Sequence, residues 1–387
     1  MSNGNCVCLV PGFCLGIHSS SFLIPPGEAD VFYTRRERHG RHADHLHFVS
    51  DPKLRLSHKK NTVTHDGRFR HCRRIRVEMY RMAAMQAHLK KRSRILGCIL
   101  GGALGDAWGG PWEGNPGRLA FQIPLRSSVS DDTQLTLATC ESIIENGGVH
   151  AERLASHLAT WFATGRVSGI GASTLKAMRD LVAGVHWALA GSRGEYSAGN
   201  GAAMRIAPLA FLLDPATPAD RTVIRDVCRI THHNDEAYVG ALAVVTAIRL
   251  ILSGVWSHEN SLLVAVSESV PDSAVRDRIK QFLPLTVSPS EVASQFGASG
   301  WVVDSVPLAL YCAQFITEKS LSVVLAQTIE VGGDTDTIAS ITGQIAGTAA
   351  GVPPDYAGHF SRITGGDEII RVAESFADFL STRPTPE

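Results

Sequence analysis

From Ser93 onward, apolar residues recur at intervals of three and four along the chain, as Leu135 and Ala138 illustrate. This interval is typical of helices that bury one face in a core. Alternating patterns typical of strands are nearly absent, and no fixed-period repeat is visible. The sequence therefore predicts an all-α fold, a compact single-domain multi-helix bundle. The predicted helices span residues 95–104, 131–146, 151–162, 172–181, 203–213, 221–231, 235–252, 274–282, 303–316, 320–329, 336–350 and 367–380.

The N-terminal part of the chain has a different composition. Residues 1–94 contain 18 Lys and Arg against 7 Asp and Glu, a net charge of +11, whereas residues 95–387 carry −11. Nine of the 16 histidines also lie in the first part. We therefore divide the chain into a basic extension, residues 1–92, and an all-α domain, residues 93–384.

Three interpretations of the basic extension remain open. Its charge-dense tracts favour a disordered tail. Alternatively, translation starts at Met79, Met82 or Met85, and the upstream residues are not made. The third and least favoured interpretation is an arm that binds nucleic acid or a protein partner.

The hydropathy pattern predicts no membrane span. A helix needs about 18 apolar residues to cross a bilayer, and the longest candidate, residues 241–256, is interrupted by Arg249. The cysteines show no zinc-ligand spacing, and several lie singly in apolar patterns typical of free buried thiols. We therefore expect a cytoplasmic protein, and we expect it to be a monomer. The cysteines in apolar patterns are Cys98, Cys140, Cys228 and Cys312.

Carboxylates and hydroxyls are concentrated in the segment Gly332-Gly333-Asp334-Thr335-Asp336-Thr337. Inside a helix Asp334 and Asp336 would not face each other, because side chains two residues apart point in different directions. Behind a Gly-Gly pair, at a loop-to-helix junction, the two carboxylates can converge. Converging carboxylates repel unless a cation or a shared proton offsets them. The segment therefore indicates either a site for a hard divalent cation or an ordinary acidic helix start.

A second helix start has the same chemistry. Ser130-Asp131-Asp132-Thr133 opens the strongly amphipathic segment 131–146. One such junction is explained by capping alone. Two junctions in one chain favour a shared site that holds two metal ions.

Three further features are weaker signals. Glu113 follows Gly109-Gly110-Pro111-Trp112, so the backbone of a turn directs its carboxylate; a surface glutamate is the alternative. Residues 199–205, which we call the glycine turn, enter a predicted helix and suit a diphosphate. The shorter 169–171 loop also precedes a helix. His232 lies between two predicted helices, where it either caps a helix or contacts a nucleotide.

Taken together and in this order, these segments resemble the ADP-ribosylglycohydrolase family. The resemblance spans about residues 94–382 and none of the first 90 residues, and the segments look most like the dinitrogenase-reductase-activating and ADP-ribosylarginine hydrolase branch. It implies a helical fold with two Mg²⁺ or Mn²⁺ ions in a dinuclear metal cleft. The implied metal ligands are Ser130, Asp131 and Asp132 from one side and Asp334, Asp336 and Thr337 from the other.

The resemblance also implies catalytic and substrate-binding residues. Glu113 and Asp132 are the implied catalytic carboxylates, which handle protons for water or the leaving group. The glycine turn and the 169–171 loop are expected to hold the diphosphate of ADP-ribose, with His232 near the ligand. The implied substrate-binding residues are Gly169, Gly171, Asn200, Gly201, Met204 and His232.

The expected reaction is hydrolysis of the N- or O-glycosidic bond between ADP-ribose and a modified protein side chain or small molecule. Arginine is the favoured acceptor. One alternative is a metal-dependent phosphatase, although its aspartate motif usually follows a buried parallel strand. Another is a non-catalytic ADP-ribose binder or immunity-type protein that acts partly through its N-terminal extension. The expected partner is an ADP-ribosylated protein or ADP-ribose conjugate.

Overall fold

The structure, a computed structural model, describes residues 65–114, 121–256, 261–352 and 355–381. The chain divides into two compact units, Met1–Ala84 and Met85–Glu387. In the first unit the described residues, 65–84, are helical. The first 64 residues of the predicted extension lie outside the described part of the chain. All the site residues discussed below belong to the second unit.

The described residues are almost entirely helical, which confirms the predicted all-α class. They form fourteen α-helices and one parallel pair of two-residue strands. The helices are α1 (His65–Gly109), α2 (Asp131–Asn146), α3 (Ala151–Ala163), α4 (Ala172–Val182), α5 (Pro218–Arg229), α6 (Asp235–Ser253), α7 (Leu262–Ser269), α8 (Ala274–Phe282), α9 (Pro289–Phe296), α10 (Val302–Ala313), α11 (Leu321–Ile329), α12 (Thr335–Ala350), α13 (Tyr356–Phe360) and α14 (Gly366–Ser381), and the strands are β1 (Ser192–Arg193) and β2 (His232–His233).

Helix α1 begins at His65, well before residue 95, where the apolar pattern predicts a helix. The side chains of Tyr80, Met82, Met85 and Leu89 are exposed. A helix without a buried face leaves no apolar period in the sequence, because that period records burial rather than backbone conformation. Helices α7, α9 and α13 were not predicted, since segments of eight residues or fewer carry too few repeats to be recognised.

The predicted helix over residues 203–213 is wrong. Two short 3₁₀ helices, Ala203–Arg205 and Ala207–Phe211, stand in its place. In an α-helix the carbonyl of Met204 would accept from the N–H of residue 208, but that residue is Pro208 and has none. The carbonyl instead accepts from Gln344 Nε2 at 2.6 Å.

Helices α1 and α12 touch backbone to backbone. Gly97, Gly101, Gly105 and Gly109 lie four residues apart along one face of α1, and a Cβ on any of them would overlap a carbonyl oxygen of α12. Glycine permits this approach because it has no side chain to separate the two helices. The contact fixes the position of both helices at the end where α12 begins.

Helix α6 lies in the centre of the second unit and packs against α5, α10 and α12. It is long and apolar enough to cross a membrane by length and composition alone. However, 67% of its most apolar window is buried inside the domain, as is typical of a core helix. Residues 239–248 are buried without interruption.

We expect Gly101→Val to lower the free energy of unfolding by about 2 kcal/mol, because the new side chain must push α1 away from α12 and overpacking costs about 1–3 kcal/mol. Gly148→Val is the matched control. An added Cβ there meets only His150 Nε2, at 3.6 Å, so its effect should stay within about 0.5 kcal/mol. Urea unfolding measures both variants, and equal stabilities would contradict the close contact.

Candidate active site

The start of α12 is shaped by two glycines in the left-handed region. Gly332 and Gly333 have φ angles of 76° and 75°, so the predicted use of the Gly-Gly pair for an unusual backbone is confirmed. A Cβ on Gly333 would overlap the carbonyl oxygen of Ala298, and the N–H of Asp334 donates to the same carbonyl at 2.8 Å. Asp334 therefore lies just outside the helix, while Asp336 lies in its first turn.

The start of α2 is capped by its own serine. Ser130 Oγ accepts from the N–H of Asp132 at 3.3 Å and donates to Asp132 Oδ2 at 2.9 Å. This N-cap satisfies one of the N–H groups that a helix start leaves without a partner. It also holds the Asp132 carboxylate against the end of its own helix.

Asp106 of α1 takes part in the same helix start. Its carboxylate accepts from the N–H of Ser130 at 3.0 Å, from the N–H of Thr133 at 3.1 Å and from Thr133 Oγ1 at 2.5 Å. The residue is 1% exposed. Asp106 was not among the site residues predicted from the sequence. The sequence feature that points to Asp106 is its position as a lone charged residue in the otherwise apolar stretch of α1 that follows residue 94.

The two helix starts meet. Thr337 Oγ1 donates to Asp132 Oδ2 at 3.1 Å, across 205 positions of sequence. One carboxylate oxygen from each of Asp106, Asp132 and Asp336 lies within 4.8 Å of the other two. A second group, Glu113, Asp334 and Asp336, satisfies the same limit. Asp336 belongs to both groups and therefore joins them into one acidic cluster.

The acidic cluster suits a hard divalent cation. Burial first, and then the charge of neighbouring carboxylates, raises the pKa of Asp106 to about 6, of Asp334 to about 7 and of the neighbouring Asp131 to about 8. Burial, followed by the same repulsion, raises the pKa of Asp132 well above its usual range. Asp132 Oδ1 is buried and has no hydrogen-bond partner among the described residues. Carboxylate oxygens that repel one another and have no hydrogen-bond donor nearby can bind a metal ion.

Glu113 reaches the acidic cluster from a different element. It follows the short 3₁₀ helix Gly110–Trp112, and the N–H of Gly114 donates to the carbonyl of Gly333 at 2.8 Å. Its side chain is exposed, whereas those of the five aspartates discussed above are buried or partly buried. The negative charge of Asp336, followed by partial burial, raises its pKa. A carboxylate near solvent with a raised pKa is suited to moving protons.

Two of the predicted substrate residues contact predicted metal ligands. A Cβ on Gly169 would lie 3.4 Å from Ser130 Cβ and 3.8 Å from Asp131 Oδ1, so this end of the 169–171 loop lies next to the start of α2. Asn200 Nδ2 donates to Asp334 Oδ2 at 2.6 Å and to Ser305 Oγ at 3.2 Å. Asn200 thus supports Asp334, a contact that sequence analysis did not foresee.

The other predicted substrate residues have different surroundings. An added Cβ on Gly201 would lie 2.9 Å from His232 Cε1 and 2.7 Å from Thr174 Oγ1, so the glycine turn is packed against both side chains. Met204 is 3% exposed and belongs to the hydrophobic core, and its carbonyl accepts from Gln344 Nε2. Gly171 is the N-cap of α4, and a Cβ there would meet no other atom within 4 Å.

Thr174 and Ser305 also lie next to these groups, and neither was predicted from the sequence. Each is a small hydroxyl residue inside a helix, 2% and 0% exposed respectively. Such residues carry no distinctive local pattern, because only the folded chain brings them to the glycine turn. Both lie near the start of a helix, but neither α4 nor α10 begins with a side-chain cap that would draw attention to it.

Comparisons with known proteins give one consistent result. The profile of the ADP-ribosylglycohydrolase family matches residues 87–385. Mouse ADP-ribosylhydrolase ARH3 is 28% identical over 258 residues, which cover 58% of this chain and 70% of that protein. ADP-ribosylarginine hydrolase Tri1 of Pseudomonas putida is 26% identical over 279 residues, covering 68% and 69% of the two chains.

A solved structure described as an ADP-ribosylglycohydrolase-related protein complex has a TM-score of 0.59 at 22% identity, over 75% of this chain and 99% of that one. At this identity the likeness concerns the fold alone. The family match takes in every carboxylate of the acidic cluster, Glu113 included. The chain therefore belongs to the ADP-ribosylglycohydrolase family and is an ADP-ribosyl hydrolase, an enzyme that cleaves glycosyl bonds.

Proposed function

We propose that the protein removes ADP-ribose from a modified arginine side chain and that two Mg²⁺ or Mn²⁺ ions held by the acidic cluster are required. The convergence of Asp132 and Asp336 from helix starts 204 residues apart is the observation that carries this proposal. Without a cation, such a buried cluster would hold like charges together at a cost in stability.

Ser130, Asp131 and Asp132 would bind the ions from the start of α2, and Asp106 adds a carboxylate to that side. Asp334, Asp336 and Thr337 would bind from the start of α12. A pair of divalent ions supplies positive charge that orients ribose hydroxyls and acidifies water. The chain itself supplies the rigid placement, because Thr337 Oγ1 and Ser130 Oγ both donate to Asp132 Oδ2.

Glu113 is the better suited of the two predicted catalytic carboxylates for proton transfer. Its side chain is exposed and its pKa is raised, so it can exchange protons with water and with a leaving group. Asp132 is buried, and its Oδ2 already accepts two hydroxyl hydrogen bonds. We therefore assign Glu113 the acid–base role and Asp132 a role in binding the ions.

The similarity to Tri1, an ADP-ribosylarginine hydrolase, supports arginine as the acceptor. Tri1 aligns with 68% of this chain, compared with 58% for mouse ARH3. We further propose that the substrate is an ADP-ribosylated protein and that the enzyme works in the cytoplasm as a monomer. Free cysteines suit a reducing compartment. Those that remain free and buried are Cys98, Cys140, Cys228 and Cys312.

The 169–171 loop belongs to a longer loop, residues 164–171, that Gln134 of α2 holds in place. Gln134 Oε1 accepts from the N–H of Ser168 at 2.7 Å, and its Nε2 donates to Ser168 Oγ at 3.0 Å and to the carbonyl of Val129 at 3.1 Å. Arg166, in the same loop, lies with its guanidinium 3.4 Å from the Trp161 ring centroid. We propose that these contacts keep the loop ordered before the diphosphate arrives.

Mono-ADP-ribosylated peptides that differ only in the acceptor residue test the proposed reaction directly. We expect ADP-ribose to be released fastest from the arginine peptide in Mg²⁺ and not at all after chelation. Asp336→Ala should lower the rate more than about hundredfold, since even indirect partners of a metal commonly cost 10–100-fold. Release that survives both treatments would defeat the metal mechanism, and preference for another acceptor would overturn the arginine assignment.

Asp132→Asn should make the chelated protein more stable by about 1 kcal/mol, because it removes a buried charge from the acidic cluster, as at many functional sites. Mg²⁺ should then raise the melting temperature of the wild type but not of the variant. The exposed Asp378→Asn serves as the control, because its surface ion pair with Arg92 contributes about 1 kcal/mol at most. A destabilised Asp132→Asn protein would contradict the repulsion argument.

Gln134→Leu should release the 164–171 loop. Loss of one net hydrogen bond is expected to lower the protection of the Ser168 amide against hydrogen exchange by roughly fivefold. Gln327→Leu on α11, which removes a side-chain bond to Lys319, is the matched control and should leave Ser168 unchanged. Unchanged protection in Gln134→Leu would show that the loop is ordered by other contacts.

A further inference from the structure

His232 of β2 lies against the glycine turn with one ring nitrogen unoccupied. The residue is 2% exposed. An added Cβ would lie 3.3 Å from His232 Nε2 at Gly199 and 3.4 Å from it at Gly201. No described residue forms a hydrogen bond with Nε2. The nitrogen thus lies beside two glycines of the turn, where an added side chain would crowd it.

The other ring nitrogen is held by a chain of buried groups. His232 Nδ1 lies 2.9 Å from Thr231 Oγ1, which in turn lies 3.1 Å from Arg205 Nη2. Arg205 is fully buried and also donates to the carbonyl of Val227 at 3.1 Å. A guanidinium has only donors, so Thr231 Oγ1 accepts from Arg205.

The hydroxyl proton of Thr231 then has two available acceptors. The carbonyl oxygen of Cys228 is 3.5 Å away, beyond the usual range of about 2.5–3.0 Å for such bonds. His232 Nδ1, at 2.9 Å, is well placed. If the hydroxyl donates to Nδ1, every close contact of Thr231 is satisfied, whereas the opposite arrangement leaves a buried hydroxyl poorly bonded.

These bonds determine the tautomer of the imidazole. A neutral imidazole has one donor and one acceptor nitrogen, so an accepting Nδ1 places the proton on Nε2. Burial, followed by the nearby positive charge of Arg205, lowers the pKa of His232 to about 3, which keeps the ring neutral. The adjacent His233 differs, because its Nε2 is bonded to the carbonyl of Ala190 at 2.8 Å.

We propose that Thr231, held by Arg205, is a positioning residue that fixes His232 as the Nε2–H tautomer and makes its ring a hydrogen-bond donor beside the glycine turn. This inference rests on the proposed function in one respect, namely that the acceptor is an oxygen of bound ADP-ribose. The tautomer itself belongs to the ligand-free protein. Neither Thr231 nor Arg205 needs to touch the ligand.

Nitrogen NMR of the full chain with ¹⁵N-labelled histidine tests the tautomer without any substrate, and His232→Gln identifies the signal. We expect wild type and Thr231→Ser to show a protonated Nε2 and a bare Nδ1. Thr231→Val should show a population protonated on Nδ1, because a methyl group replaces the hydroxyl and keeps Arg205 away from the ring. The His233 signal, fixed by a backbone carbonyl, should stay unchanged in all variants.

Calorimetry with free ADP-ribose supplies the second readout. Thr231→Val should bind about fivefold more weakly than wild type, the loss of roughly one net hydrogen bond, and Thr231→Ser should bind as wild type does. A wild-type ring protonated on Nδ1, or an unchanged tautomer and affinity in Thr231→Val, would overturn the proposal. The expected tautomers together with no binding of ADP-ribose would instead overturn the proposed function and the donor role that depends on it.

Discussion

The contact between the backbones of α1 and α12 is the constraint on which the acidic cluster depends. At its end Thr335 Oγ1 donates to the carbonyl of Gly109 at 2.9 Å, which fixes the first turn of α12 against the last turn of α1. Asp106 projects from one helix and Asp336 from the other. A side chain at any of the four glycines of α1 would push the two helices apart and so separate these carboxylates. The glycines therefore help to form the acidic cluster, although none of them belongs to it.

Such a site is costly to the fold that contains it. Burial and mutual repulsion raise the pKa values of the aspartates because each ionised group is held away from water near others. The chain offsets part of this cost with donors already at hand. The free N–H groups at the start of α2 bind Asp106, and hydroxyls from both helix starts bind Asp132. Carboxylate oxygens that accept no hydrogen bond, such as Asp132 Oδ1, are available to a cation.

Local signals were enough to predict much of this arrangement. The bounds of α2 follow from Ser130 at its start and Gly147 at its end, and the Gly-Gly pair before α12 has the backbone expected of it. Other elements depend on partners distant in sequence. The 203–213 segment has a helical composition, yet Pro208 leaves the Met204 carbonyl to Gln344, which lies 140 residues away. Asp106 was missed because only the fold reveals that a helix start from another segment surrounds it.

Asn200 and Met204 connect the glycine turn to α12 at two points, through Asp334 and Gln344. These two hydrogen bonds hold the turn against the N-terminal part of α12. A cation drawn to Asp334 would stiffen the turn before any nucleotide arrives. Coupling between two binding sites is reciprocal, so a ligand bound to the turn would raise the affinity for the ion by the same factor. The ion and the ligand would then bind cooperatively.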